Sequence, residues 1–284
     1  MLKQRIITAL VLLAILLPAM FYPGAAPFGL ATLILLACGA WEWARLNGFS
    51  FRAALRTGAV CALLCTVAWY LGLPAIRLPL VWSVIGGFWV LAGAWALRAG
   101  APAWQALPRS LRLIGGVLML WAAWLAIMQA RLMGLNFLLS VLVLVWAADI
   151  GAYFAGRGLG GRLFVNKLAP SISPSKTWEG VLGGLTTVFI VALIWIYADG
   201  HTRVDSLSLY SRLLGMGVPV LLLGVAFMTA MSVVGDLVES LFKRSAGVKD
   251  SSNLLPGHGG VLDRVDALLP TLPLALMLVG GGVL

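Results

Sequence analysis

The sequence predicts an all-α, polytopic integral membrane protein with about nine transmembrane helices and a polar active-site cavity on the cytoplasmic side. Three observations lead to this prediction. The chain of 284 residues is 61% hydrophobic and 11% charged, with a mean hydropathy of +1.00, whereas soluble domains are about 25% charged. Apolar runs of about 20 residues, the length that crosses a bilayer, recur along the chain. These runs are continuous rather than alternating, which favours helices over a closed β-barrel.

Nine apolar runs are long enough to be candidate spans. Together they take more than half of the chain, so no separate soluble domain is expected. In order they cover 6–22, 27–44, 57–76, 79–97, 113–130, 135–156, 178–198, 213–234 and 267–284.

The first run also resembles a signal peptide. The segment MLKQRIITALVLLAILLPAMFYPGAAP has a basic start, an apolar stretch and small residues at its end. Cleavage and retention both stay open, and we favour retention as the first span. The topology of the remaining spans is the same in either case.

The basic residues orient the spans. With a cytoplasmic amino terminus, 16 of the 20 Lys and Arg residues fall in inside loops, which fits the positive-inside rule. The outside loops keep four of them, Arg77, Arg131, Arg203 and Arg212. Membrane topology therefore accounts for the net charge of +10, and we expect no nucleic-acid partner.

The acidic residues divide the chain into two parts. Only one of the ten, Glu42, lies in the first 140 residues, and seven of the other nine lie in or beside two basic inside loops. This asymmetry predicts an amino-terminal scaffold of about five helices at 1–132. The chemistry is expected in the region 133–284, with about four helices and cytoplasmic loops at 157–177 and 235–266.

Asp149 lies inside the sixth span, in VLVWAADIGAYFAGR. An ionised carboxylate at that depth costs roughly 2.5–3.5 kcal/mol unless it faces protein or water. It either forms a structural ion pair with Arg157, about two turns away, or lines a polar cavity in the inner leaflet. We favour the cavity.

The segment between the sixth and seventh spans is glycine-rich and basic. GRGLGGR, 156–162, matches G-x-G-x-x-G by letter, but a membrane helix rather than a strand precedes it, which excludes a dinucleotide site. Such a turn can still present backbone N–H groups to a phosphate.

SISPSKTWEGVLGG then opens the seventh span. Ser173 and Ser175 are each expected to be able to start the helix, with Pro174 in the first turn. Glu179 would lie near the helix start, where the dipole favours an anion. Lys176 lies beside it, facing the other charged loop.

GDLVESLFKRSAGVKD continues from the eighth span. Asp236, Glu239, Ser240, Lys243 and Arg244 share one helix face. Two interpretations stay open. The face is either the solvated side of an interfacial helix, or a site where carboxylates hold Mg²⁺ and cations neutralise a polyphosphate.

LPGHGG, 255–260, cannot be regular helix and predicts a tight loop with exposed backbone amides. Asp263 and Asp266 follow on one helix face beside Arg264, which makes a Mg²⁺ and phosphate site plausible. His258 has three possible roles: a base, a donor to a phosphate or ribose, or a structural hydrogen bond within the loop.

From Ser240 to Asp266 the sequence SLFKRSAGVKDSSNLLPGHGGVLDRVD resembles the phosphatidate cytidylyltransferases, also called CDP-diacylglycerol synthases. ADIGAYFAGR and SPSKTWEG match earlier motifs of that family, with Ser175 and Arg162 at positions where lysine is common. The specific motifs cover about 145 to 270, and the first five spans match only in hydrophobic character.

The resemblance implies transfer of a cytidylyl group from CTP to phosphatidate, with Mg²⁺, in a bacterial-type inner membrane. The active site would face the cytoplasm, and membrane lipid and a second copy of the chain, forming a homodimer, would be partners. By resemblance and charge, the catalytic residues would be Asp236, Lys243, Arg244, Asp263 and Asp266. The metal ligands would be Asp236, Asp263 and Asp266. Substrate-binding residues would be Asp149, Arg157, Ser173, Lys176, Glu179, Glu239, Ser240, Lys249, Asp250, His258, Gly259, Gly260 and Arg264.

Three alternatives remain. A related CTP-dependent membrane enzyme would use another lipid acceptor, such as an isoprenoid alcohol. A transporter would be expected to place its site near the midplane between repeats, whereas these charges cluster at one face. A purely structural membrane protein would not need carboxylates clustered at loop–helix junctions.

Overall fold

The structure, a computed structural model, describes residues 2–280, and the regular secondary structure of those residues is helical. Two isolated β-bridges, at 169 with 173 and at 255 with 259, close tight loops. A single 3-10 turn occupies Leu73–Ala75. The α-helices in chain order are α1 (Leu2–Phe21), α2 (Ala26–Leu46), α3 (Phe51–Tyr70), α4 (Pro79–Ala106), α5 (Arg109–Met133), α6 (Leu135–Leu159), α7 (Trp178–His201), α8 (Leu209–Gly215), α9 (Val218–Ser245), α10 (Leu262–Val265) and α11 (Leu268–Leu278).

Eight of these helices, α1 to α7 and α9, are long and apolar enough to cross a membrane. The predicted all-α membrane fold is therefore confirmed. The ninth predicted span, 267–284, contains α11, which has 11 residues. At about 1.5 Å per residue, a helix of that length is shorter than a bilayer core of about 30 Å. The last four residues of that prediction, 281–284, lie outside the described residues.

The physical reason for the short α11 is its position inside the protein. Its residues from Pro270 to Leu276 are all buried, and Pro273 lies within the helix. It packs against α4, α5 and α9 rather than facing lipid. An apolar run of residues can form either a membrane span or a helix buried in a protein core. The apolar run of α11 lies in the protein core.

Capping residues decide where two helices begin. α3 starts six residues before the predicted 57–76 span, because the Ser50 hydroxyl accepts a hydrogen bond of 3.3 Å from the Ala53 N–H. α7 begins at Trp178, where the Thr177 hydroxyl accepts from the Gly180 N–H at 3.1 Å.

The prediction that Ser173 or Ser175 starts α7 is therefore wrong. The physical reason is that these residues belong to a closed loop. The Ser173 N–H donates to the Ala169 carbonyl at 2.9 Å, and the Leu168 N–H donates to the Lys176 carbonyl at 3.1 Å.

Helices α6 and α7 lie close together because glycines line their contact. A Cβ at Gly184 would lie 2.7 Å from the Ala148 carbonyl oxygen, and one at Gly180 would lie 3.0 Å from that of Ala152. Only glycine allows so close an approach of two backbones. This contact holds Asp149 of α6 next to the start of α7.

Helix α9 extends eleven residues beyond the predicted 213–234 span, to Ser245. The continuation follows the predicted pattern, since Leu237 and Leu241 are buried against Ile172 of the loop between α6 and α7. The charged residues of α9 therefore lie on a helix fixed on its apolar side by the preceding loop.

Candidate active site

The candidate site is centred on charged side chains in the last turns of α9. Lys243 Nζ lies 2.5 Å from Glu239 Oε2 and 2.5 Å from Asp263 Oδ1. Further back on the same helix, Asp236 Oδ2 lies 2.5 Å from Lys176 Nζ. Lys176 thereby joins α9 to the loop before α7, and Lys243 joins α9 to α10.

Asp263 fixes the loop that follows α9. Its Oδ2 accepts the Ser251 N–H at 2.9 Å, the Ser251 hydroxyl at 2.8 Å and the Gly260 N–H at 2.7 Å. Burial alone would raise the pKa of Asp263. The Lys243 ammonium and the N–H donors outweigh burial and bring the pKa of Asp263 to about 2. Asp263 is therefore ionised at neutral pH and its oxygens are already occupied.

Glu42 of α2 holds the same loop from the front half of the chain. This carboxylate is 0% exposed. Its Oε1 accepts the Ser252 hydroxyl at 2.6 Å and the Val261 N–H at 2.9 Å. Its Oε2 accepts the Ser251 hydroxyl at 3.3 Å and the Leu262 N–H at 2.8 Å. Four hydrogen-bond donors around one buried carboxylate satisfy its oxygens.

Sequence reasoning did not place Glu42 in the site. The signal that could have found it is its isolation, since it is the one acidic residue among the first 140 and lies in an apolar run. A charge in such a run needs a partner. The scaffold region 1–132 therefore contributes a side chain that positions the loop at 249–262.

Two glycines let this loop close. Gly259 has a φ of +82°, in the left-handed region. A Cβ at Gly260 would collide with the Ser251 hydroxyl and the Glu42 carboxylate. The predicted tight glycine loop is confirmed, and the Gly260 N–H is used by Asp263 rather than left for a ligand.

Three further carboxylates, those of Asp149, Asp236 and Asp266, are close enough to interact electrostatically. Burial and the charges of Asp236 and Asp149 raise the pKa of Asp266 to about 7. Lys176 and Arg264 lie within electrostatic range of Asp149. This is a cluster of carboxylate oxygens whose repulsion a cation would relieve.

A polar cavity of about 420 Å³ opens between α6, α7 and α9. Asp149 lines it, as the sequence favoured. Arg157 donates to the Tyr153 hydroxyl at 2.8 Å, and no ion pair joins Arg157 to Asp149 within residues 2–280. The polar side chains of the wall are Asp149, Tyr153, Arg157, Ser175, Lys176, Thr177 and Asp236.

Glu179 shapes the glycine-rich turn between α6 and α7. It is 2% exposed, and its Oε1 accepts the N–H groups of Gly161, Leu163 and Phe164, each at 3.0 Å. The structure therefore places Glu179 under the glycine-rich turn, where it orders the backbone.

Helix α1 contacts the loop 249–261. Arg5 Nε donates to the Gly257 carbonyl at 2.9 Å, and the Thr8 hydroxyl donates to the Pro256 carbonyl at 2.9 Å. The amino-terminal end of α1 and the candidate site therefore lie at the same end of the bundle.

The remaining predicted residues lie around this centre. Ser240 donates to Asp236 Oδ1 at 3.3 Å, and Arg244 Nε donates to the Ile172 carbonyl at 3.3 Å. Arg264 Nε donates to the His258 carbonyl at 3.0 Å. The buried His258 Nδ1 has no hydrogen-bond partner within residues 2–280. Ser173 is half-buried in its loop, whereas Lys249 and Asp250 are exposed.

The predicted metal trio, Asp236, Asp263 and Asp266, stays a prediction. Across residues 2–280, no three His, Cys, Asp or Glu side chains are gathered as a ready metal site. Asp263 is occupied by Lys243 and backbone donors. Asp236 and Asp266 fit better, because they repel each other electrostatically and offer the oxygen ligands that Mg²⁺ prefers.

Comparisons with known proteins agree on one family. The family model described as the cytidylyltransferase family matches residues 3–280. A phosphatidate cytidylyltransferase of Pseudomonas aeruginosa is 41% identical over 279 residues, covering 96% of this chain and 95% of that protein. One of Haemophilus influenzae is 39% identical over 292 residues, covering 96% of each. One of Brucella suis is 45% identical over 136 residues, covering 48% of this chain and 44% of that protein.

Proposed function

This chain belongs to the cytidylyltransferase family, and we infer that it transfers the cytidylyl group of CTP to phosphatidate, giving CDP-diacylglycerol and pyrophosphate. It is a membrane-embedded nucleotidyltransferase of phospholipid biosynthesis. The observation that carries this function is the polar cavity beside α9. There Lys176, Asp149 and Asp236 meet at one end of a bundle of apolar helices.

The location suits both substrates. Phosphatidate keeps its acyl chains in the membrane, so its phosphate must react at the membrane boundary. CTP must enter from water. A polar cavity at one end of the spans offers a place where the two can meet.

We propose that this end faces the cytoplasm of a bacterial inner membrane. Arg5 puts the start of α1 at the same end as the site, and the excess of basic residues in the loops there follows the positive-inside rule. Lys249 is exposed. In a Lys249→Cys variant, an impermeant thiol reagent should label inside-out vesicles and spare intact cells. The reverse pattern would contradict this orientation.

The proposed reaction needs positioning and charge neutralisation more than proton transfer. A phosphatidate oxygen, already ionised at neutral pH, forms a bond to the α-phosphorus of CTP. The bond from that phosphorus to the bridging oxygen of the β-phosphate breaks, and pyrophosphate leaves with the electron pair. Lys176, Lys243, Arg244 and Arg264 would neutralise the phosphate oxygens.

We propose Asp236 and Asp266 as the residues that would hold Mg²⁺, with Asp149 beside them. A bound Mg²⁺ would supply charge neutralisation on the phosphates of CTP. Asp263 would join as a ligand only after Lys243 leaves it. In the arrangement described here, Asp263 instead orients Lys243 and closes the glycine loop.

The function is tested with purified protein, phosphatidate, Mg²⁺ and CTP labelled in the base. An isoprenoid alcohol serves as the competing acceptor, and ATP as the competing nucleotide. Label should enter the lipid phase as CDP-diacylglycerol and be lost on chelation. Label on the isoprenoid alcohol would instead favour the related enzyme, and no lipid label from folded protein would overturn both.

A further inference from the structure

A second cavity lies on the opposite side of α9 from the polar one. It has a volume of about 380 Å³ and is enclosed by α2, α4, α5 and α9. Its wall is mainly aromatic and aliphatic, including Trp43, Trp89, Trp104, Phe242 and Leu262. Small-molecule sites have volumes of about 300–1,000 Å³ and such walls, with a few placed polar groups.

Two polar side chains in the wall have a buried N–H group without a hydrogen-bond partner among residues 2–280. They are Trp89, through its indole N–H, and Arg112, through its Nε–H. Glu239 also lines the cavity and is 5% exposed, but its Oε2 is paired with Lys243 Nζ at 2.5 Å. Buried polar groups are nearly always paired, so two unpaired donors in one apolar wall indicate a ligand that brings oxygen atoms among hydrocarbon.

The cavity reaches the surface of the helix bundle on one side and the charged face of α9 on the other. On the membrane side, Phe88, Trp95 and Leu111 line it and are themselves exposed. On the site side, Glu239 contacts Lys243, which contacts Asp263. One turn of α9 therefore separates this apolar space from Asp236 in the polar cavity.

We propose that this cavity binds one acyl chain of the phosphatidate acceptor, with the ester oxygens near the N–H groups of Trp89 and Arg112. This proposal rests on the proposed function and identifies how the lipid is held. Apolar walls stabilise hydrocarbon, and the unpaired donors suit the ester end of the chain. The phosphate would then lie toward Lys243, which contacts Glu239 of the cavity wall.

A glycine in the wall allows the cavity to be filled without a clash. A Cβ at Gly115 would meet nothing within 4 Å, whereas one at Gly116 would collide with Trp43. Gly115→Leu therefore extends a side chain into the space that the acyl chain would occupy. Gly87→Leu is the matched control, because Gly87 also has open space, is equally half-buried and does not line the cavity.

The readout is the ratio of kcat/KM for dioleoyl phosphatidate over kcat/KM for dihexanoyl phosphatidate. In Gly115→Leu this ratio should fall at least about tenfold, since excluding about two methylene groups from an apolar site costs that factor. In Gly87→Leu it should match the wild type. An unchanged ratio in Gly115→Leu, or an equal fall in both variants, would overturn the proposal.

A second measurement does not depend on turnover. A phosphatidate with a photoreactive group in one acyl chain should label residues of α4 and α5 around the cavity, and excess unlabelled phosphatidate should prevent this. Labelling confined to the outer surface of the bundle would overturn the proposal. A wild-type protein that makes no CDP-lipid would instead contradict the proposed function, so the two failures are distinguishable.

Discussion

At the scale of single residues, Glu42 is the side chain with the clearest role outside the sequence motifs. Its carboxylate accepts four hydrogen bonds from the loop that leads to Asp263, although Glu42 and Asp263 are separated by most of the chain. Hydrogen bonds to a charged group contribute about 1.5–3 kcal/mol each. The loop therefore depends on a carboxylate that itself lies outside the loop motif.

We expect Glu42→Gln to lower kcat/KM by about tenfold to hundredfold, because one donor would then face an amide N–H₂ and the charge is lost. Amide hydrogen exchange should accelerate in 249–262 and stay unchanged in α7. Asp205→Asn is the control. Asp205 also accepts backbone N–H groups, from Leu135 and Asn136, but at the other end of the bundle. Equal exchange in the loop of Glu42→Gln and wild type would contradict this role.

Asp263 and Asp266 should respond to pH in opposite ways in metal-free buffer. The pKa of Asp263 lies at about 2, below the usual value of about 3.9, so its stabilising effect is full above pH 4 and lost as pH falls toward 2. The pKa of Asp266 lies at about 7, above the usual value, so its ionisation lowers stability as pH rises from about 4 to 7.

Thermal unfolding in detergent with a chelator tests this contrast. At about pH 8, Asp263→Asn should lower Tm and Asp266→Asn should raise it. The deficit of Asp263→Asn should be the same at about pH 6, whereas the gain of Asp266→Asn should shrink. A deficit of Asp263→Asn that disappears between these two pH values would contradict its assignment as the ionised anchor.

At the scale of elements, α1 forms hydrogen bonds to the glycine loop of the candidate site. Arg5 and Thr8 donate to consecutive carbonyls of the glycine loop. We therefore expect α1 to be retained in the mature protein, and the intact mass of membrane-purified protein should include it. A mass that lacks the first helix, together with full activity, would contradict this expectation and restore the signal-peptide interpretation.

Helix positions were predictable where hydrophobicity alone decides them, as in α2, α5 and α6. The start of α3 was not predictable in this way, because the Ser50 cap sets it six residues before the predicted span. The predicted span 178–198 begins at the first residue of α7, although the cap is Thr177 rather than Ser173 or Ser175. At the carboxyl end, the length of the apolar run predicted a ninth span. The part of this run around α11 is buried in protein rather than in lipid. The extension of α9 followed from its charged face, which the sequence pattern had placed correctly on one side of a helix.

At the scale of the site, sequence motifs brought Asp236, Lys243 and Asp263 into one expected cluster. The structure pairs Asp236 with Lys176, and Lys243 with Asp263. The motifs did not indicate that Asp263 would be paired with Lys243, because a pairing distance depends on how the loop closes. They also did not indicate Glu42, since its partner loop is more than 200 residues away. The apolar cavity could not be predicted from the sequence either, because it forms only when four helices pack together.

At the scale of the whole molecule, the two regions divided at residue 132 share one hydrophobic core. Residues of the first region close the site of the second, so we expect the separated halves to be inactive. The homodimer stays a prediction, and the mass of the protein–detergent complex tests it. A monomeric complex with full activity would contradict a dimer requirement.

The central claim is that CTP and phosphatidate react in the polar cavity beside α9. The most direct measurement is transfer of CTP radiolabelled in the α-phosphate into lipid, with wild type, Asp236→Asn and the control Asp205→Asn assayed together. We predict lipid label in the wild type and the control, and a loss of at least about hundredfold in Asp236→Asn, the size expected when a group that stabilises the reacting phosphates is removed. Equal lipid label in Asp236→Asn and wild type would contradict the claim.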